Sequence, residues 1–146
     1  ARHYRDANIA IIHDKSAYGK GLADETRKAL KQKGIETAMY EAVTAGDRDF
    51  STLITRMKRE NIGFIFLGGY HTEAGLIRRQ ATDLGLKAPL MAGDALVTKE
   101  FWTITGEAGE GTYLTFSPDP RDNPLAQDAV AQFRKAGYEP EGYTLY

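Results

Sequence analysis

The chain contains no cysteine. That excludes disulfides and every metal site built on thiolates, and it suits a reducing or an oxidising compartment equally well. No apolar run approaches the roughly 20 residues that a membrane-crossing helix needs. Neither sign of charge dominates: 19 Lys and Arg face 20 Asp and Glu, giving a formal net charge of −1 and a pI of about 6.4. Without a basic field to attract a phosphate backbone, the composition argues against nucleic-acid binding. The start, Ala1-Arg2-His3-Tyr4-Arg5-Asp6, has neither an initiator methionine nor a leader pattern. It reads as a mature or excised piece, so the missing leader says nothing about compartment.

What remains is a chain of 146 residues, 42% hydrophobic and 27% charged. That is ordinary for a globular protein and long enough for one domain. Strand and helix patterns alternate along it. Asn8–His13 reads as a buried strand, rich in β-branched residues. A helix follows over Tyr18–Lys33, with Leu22, Ala23, Thr26, Ala29 and Leu30 on one face and Gly34 as its stop. Ile35–Val43 is the second strand. Phe50, Leu53, Ile54 and Met57 form the core face of a second helix, with Asp49 or Ser51 as its cap.

Phe64–Leu67 is the third strand, Thr72–Leu84 the third helix and Pro89–Ala92 the fourth strand. Thr98–Thr105 is a short helix, Gly111–Phe116 a fifth strand, and Pro124–Ala136 a fifth helix carrying Ala126, Ala129, Val130 and Phe133 on one side. Five βα units in series predict an α/β fold, a three-layer, doubly wound, mostly parallel five-stranded sheet, with 1–146 as a single lobe. The tail with Tyr138, Pro140, Gly142, Tyr143 and Tyr146 reads as the start of an excursion, which predicts a truncation or a crossover into another part.

Most familiar chemistries fail on the residues. Asp14 to Gly21 contains a Gly-Lys pair after a strand, but Asp14 and Gly21 stand where a phosphate loop needs Gly and Ser or Thr. No G-x-G-x-x-G follows a strand. A phospho-acceptor domain would need an aspartate ending the third strand and a lysine after the fifth, where Gly68-Gly69-Tyr70 and Ser117-Pro118 stand. No G-x-S-x-G elbow is present, His13 beside Asp14 has no serine or cysteine partner, and His71 with Glu73 is too small a set for a metal. No catalytic residue, metal or cofactor is expected.

Tyr18, Tyr70 and Asp94 stand out by position. Each follows a predicted strand end, on the first, third and fourth strands. That is the edge where open α/β sheets bind ligands. The two glycines before Tyr70 predict a sharp turn there. Two aromatic faces and a carboxylate suit a small cation with an apolar tail. Burying a Leu-sized group contributes about 1.5–3 kcal/mol, and a charge-assisted hydrogen bond about 1.5–3 kcal/mol. Micromolar affinity, about −8 kcal/mol, then requires a second surface that adds donors and excludes water.

Several segments together resemble the periplasmic Leu/Ile/Val-binding proteins of branched-chain amino-acid ABC transporters, in the type I periplasmic-binding family. They are Ile11-Ile12-His13-Asp14-Lys15, Tyr18-Gly19-Lys20-Gly21-Leu22-Ala23, Thr44-Ala45-Gly46 with Asp49-Phe50-Ser51-Thr52-Leu53, and Gly68-Gly69-Tyr70-His71. The resemblance covers nearly the whole chain. It implies the flavodoxin-like second lobe of a two-lobed receptor, whose first lobe grips the amino acid's carboxylate. It implies that Tyr18 and Tyr70 pack on the ligand and that Asp94 takes the α-ammonium. Members closest to the Leu/Ile/Val type have glutamate there, so the shorter Asp94 leaves the choice among branched-chain and other neutral amino acids open. The implied partners are a small-molecule amino acid and a membrane ABC permease, in the periplasm, with no nucleic acid. A lone lobe would expose its aromatic rim, which favours dimerisation. The competing readings are an effector domain of a regulator or receptor, and a small α/β enzyme using His13 and Asp14.

Overall fold

Asn8–His13 (β1) lies inside a parallel sheet because its residues are apolar on both faces: Ile9, Ala10, Ile11 and Ile12 are all buried. A computed structural model describes residues 4, 6–140 and 144–145. The readings made on Arg2, His3, Arg5, Gly142, Tyr143 and Tyr146 lie outside the described residues. The remaining elements are α1 (Ala17–Gln32), β2 (Met39–Ala42), α2 (Ser51–Arg59), β3 (Ile62–Gly68), α3 (His71–Asp83), β4 (Leu90–Ala92), α4 (Lys99–Thr105), β5 (Tyr113–Leu114) and α5 (Gln127–Lys135).

All four strand pairings are parallel, in the order β2-β1-β3-β4-β5. The order reverses between β1 and β3, and the crevice at such a reversal, outside the carboxyl ends of the strands, is where this class of sheet takes ligands. Alternate residues feed two cores. Ala10, Ile12, Ile65, Leu67, Leu90 and Ala92 pack with Ile54, Ile77 and Phe101 from α2, α3 and α4. Ile9, Ile11 and Phe66 pack with Ala23, Leu22 and Leu30 of α1 on the other face. The period-2 geometry of strands produces this division. The α/β, three-layer, mostly parallel architecture read from the alternation is the observed one.

The chain divides into two compact units, Ala1–Leu114 and Thr115–Tyr146. The sheet, its helices α1 to α4 and the strand-end residues Tyr18, Tyr70 and Asp94 belong to the first. The second contains α5, entered through a short 3-10 turn at Pro124–Ala126.

Several boundaries differ from the sequence reading. β2 covers only Met39–Ala42, not 35–43, because Ile35 closes α1: its N–H donates to the Leu30 carbonyl at 3.0 Å, after Gly34 takes a φ of +73°. β5 is two residues long, not 111–116, since its neighbour β4 offers only three residues to pair with. β3 is longer than expected, reaching Ile62 and Gly68. Ala29 and Ala129, placed on core faces by periodicity, are exposed. Alanine fits either side of a helix and marks neither.

Candidate functional site

The turn after β1 is tied down before α1 begins. Ser16 caps the helix, its Oγ accepting from the Gly19 N–H at 2.9 Å. Asp14, buried, accepts from both the Ser16 N–H at 2.9 Å and the Ser16 hydroxyl at 2.6 Å. His13, also buried, accepts at Nδ1 from the Lys15 N–H at 3.1 Å and lies against the Tyr40 ring. Lys15 takes a left-handed φ of 68° to make this turn. His13 and Asp14 are thus engaged in holding backbone, and no hydrogen bond joins them among the described residues.

The close packing of α1 on β3 fixes Tyr18. A Cβ on Gly19 would lie 2.5 Å from the Gly68 carbonyl oxygen, and one on Gly68 would strike the Gly19 carbonyl. Neither Gly68 nor Gly69 has a positive φ. The chain does bend at Gly69, as expected, but with ordinary torsions: these glycines are needed for close approach. Tyr70 follows as the N-cap of α3 in an extended conformation.

The structure brings the three singled-out side chains together. The Tyr18 hydroxyl donates to Asp94 Oδ1 at 2.7 Å. The Tyr18 and Tyr70 rings stand 5.3 Å apart between centroids, tilted by 34°, within the range of favourable aromatic pairs. Asp94 reaches the rim because Gly93 lets β4 pass under the phenol: a Cβ there would lie 2.5 Å from Tyr18 Oη. Tyr70 is 47% exposed while Tyr18 and Asp94 are half-buried. Burial first, and then the hydrogen bond to Asp94, push the Tyr18 phenol up to about 12. It stays a neutral donor at any physiological pH. The arrangement offers one open aromatic face, a partly dehydrated carboxylate, and a phenol committed to that carboxylate.

Glu73, rejected above as half of a metal pair, serves the backbone. It is buried in the first turn of α3 and accepts from the Gly46 N–H at 2.8 Å, strapping the β2–α2 loop to the rim. Gln80 does the same for the start of α2, accepting from Phe50 N–H at 2.8 Å and donating to the Arg48 carbonyl at 2.7 Å. Neither role was read from the sequence, which shows a polar side chain on a helix but not the loop it faces. Among the described residues no group of three or more His, Asp or Glu is placed to hold a metal ion.

The family described as periplasmic binding protein matches residues 1–144. Leu/Ile/Val-binding protein homolog 1 of Brucella suis is 52% identical over 144 residues, 99% of this chain and 39% of that protein. An amino acid binding protein of Pseudomonas aeruginosa is 43% identical over 140 residues, 94% of this chain and 37% of that one. Among solved structures, the branched-chain amino acid transporter substrate binding protein of Streptococcus pneumoniae in complex with isoleucine superposes with a TM-score of 0.80 at 30% identity, covering 95% of this chain and 41% of that one. The chain therefore spans about two fifths of the length of the relatives it matches. With the match running through the turns that carry Tyr18, Tyr70 and Asp94, the chain belongs to the periplasmic binding protein family.

Proposed function

We propose that this chain is one lobe of the solute-binding component of an amino-acid ABC transporter, in the periplasm, and that it is a binding module with no bond-breaking step. In this reading a branched-chain or other neutral amino acid lies in a cleft between this lobe and a partner lobe. Tyr18 and Tyr70 cover its apolar part and Asp94 takes its α-ammonium. Closure of the two lobes presents the loaded receptor to a membrane permease. The observation that carries the reading is the convergence of Tyr18, Tyr70 and Asp94, from three separate strand ends, onto one carboxyl rim. The relatives, a Leu/Ile/Val-binding protein homolog and an amino acid binding protein, agree with it.

The enzyme reading on His13 and Asp14 has less to stand on, because both side chains are spent on the backbone of one turn. The test is Asp94→Ala in the full-length, two-lobed protein. Titration calorimetry against a panel of neutral amino acids is expected to find binding weakened by about 2–5 kcal/mol, the cost of leaving a buried ammonium unpaired. An unchanged affinity would remove Asp94 from the site and the reading with it.

A further inference from the structure

The reading above gives Tyr18 and Asp94 separate tasks, one apolar and one charged. Their geometry assigns them a joint one. Among the described residues only Tyr18 donates to the Asp94 carboxylate, and it does so at Oδ1, leaving Oδ2 without a donor. The phenol cannot be swapped for a rearranged contact at low cost. It is wedged over Gly93, where a Cβ would lie 2.5 Å from its oxygen. Its ring is backed by Tyr70 at 5.3 Å. Its own helix is seated on β3 through Gly19 and Gly68. The donor is therefore rigid and the acceptor is a short side chain on the one-turn 3-10 segment Asp94–Leu96.

Resting on the amine-binding reading of this rim, we propose that Tyr18 is a positioning residue that acts through Asp94. It holds the carboxylate in one rotamer before ligand arrives, commits Oδ1, and leaves Oδ2 as the single acceptor for the ligand's cation. Ordering the acid in advance removes a cost that would otherwise fall on binding. A single open oxygen also suits an ammonium, which is a point charge. A guanidinium gains most from two parallel bonds to both carboxylate oxygens, and here one is taken. The ligand class is accordingly a primary amine.

The experiment uses the full-length protein with Tyr18→Phe and Asp94→Asn, titrated with L-leucine and L-alanine, together with a crystal structure of ligand-free Tyr18→Phe. Tyr18→Phe keeps the ring and its packing. It is expected to raise Kd by roughly three- to tenfold, the effect of having to order one side chain on binding, and to show the Asp94 carboxylate in a changed rotamer. Guanidinoacetate is expected not to displace the amino acid from the unmodified protein. An unchanged Asp94 rotamer in Tyr18→Phe overturns the proposal whatever the affinities are. Unchanged affinity in Tyr18→Phe alongside weakened binding in Asp94→Asn overturns it as well, and so does displacement by guanidinoacetate. Unchanged affinity in Asp94→Asn instead removes the acid from the site, and so the amine-binding reading itself.

Discussion

Gly68 can carry no side chain, and the reason is a neighbour, not a torsion. Its α-carbon lies against the Gly19 carbonyl, so an added methyl meets backbone that cannot swing aside. Gly68→Ala is expected to lower stability by about 1–3 kcal/mol, as overpacking does. Gly21→Ala provides the contrast: it lies in the same helix, α1, with nothing within 4 Å of an added Cβ. Alanine there is expected to stabilise by about 0.5–1 kcal/mol. Denaturant unfolding of the two variants against the parent checks both signs. At this scale the sequence pointed to Tyr18, Tyr70 and Asp94 through their places after strand ends. It did not show the bond between Tyr18 and Asp94, because residues 76 positions apart carry no mark of their contact.

Elements set the rim. Three βα junctions deliver the three side chains to one edge only because every strand pairing is parallel, which turns all carboxyl ends the same way. The alternation of patterns made that much legible. The lengths of β2 and β5 were not, since an apolar residue such as Ile35 serves a helix end as readily as a strand. In the unit Thr115–Tyr146, α5 is tied by an ion-pair network. Arg121 grips Asp119 through Nε and Nη2 and reaches Glu139, which Arg134 also grips through Nε and Nη2. The arginines hold both Asp119 and Glu139 down at about 2. Because both carboxyls sit below their ordinary value of roughly 4, the network's contribution is present above that value and is lost as pH falls toward 2. These groups are solvent-accessible, so the contribution is small and is screened by salt. Protection of the Gln127–Lys135 amides against exchange, taken relative to the intrinsic rate at each pH, is expected to fall over roughly pH 4 to 2, and Glu139→Gln is expected to flatten that dependence.

For the molecule as a whole, the proposed function makes this rim half of a binding site. In that reading a single lobe would leave the ligand facing water on its far side, held by Asp94 and the exposed ring of Tyr70. The isolated chain is therefore expected to bind neutral amino acids no more tightly than about millimolar, and the full-length protein is expected to bind far more tightly. Calorimetry on both, with the same amino acids, checks this, and tight binding by the chain alone would contradict a shared cleft. The sequence by itself determined the class of fold, since short runs apolar on both faces, alternating with helical patterns, leave a parallel α/β sheet as the way to bury both faces. It also determined which side chains lie near the carboxyl ends. Only the tertiary structure decided how those side chains meet, that the glycines serve close packing and that His13, Asp14 and Glu73 hold backbone. Such contacts join distant parts of the chain, and the folded geometry alone sets the distances between them.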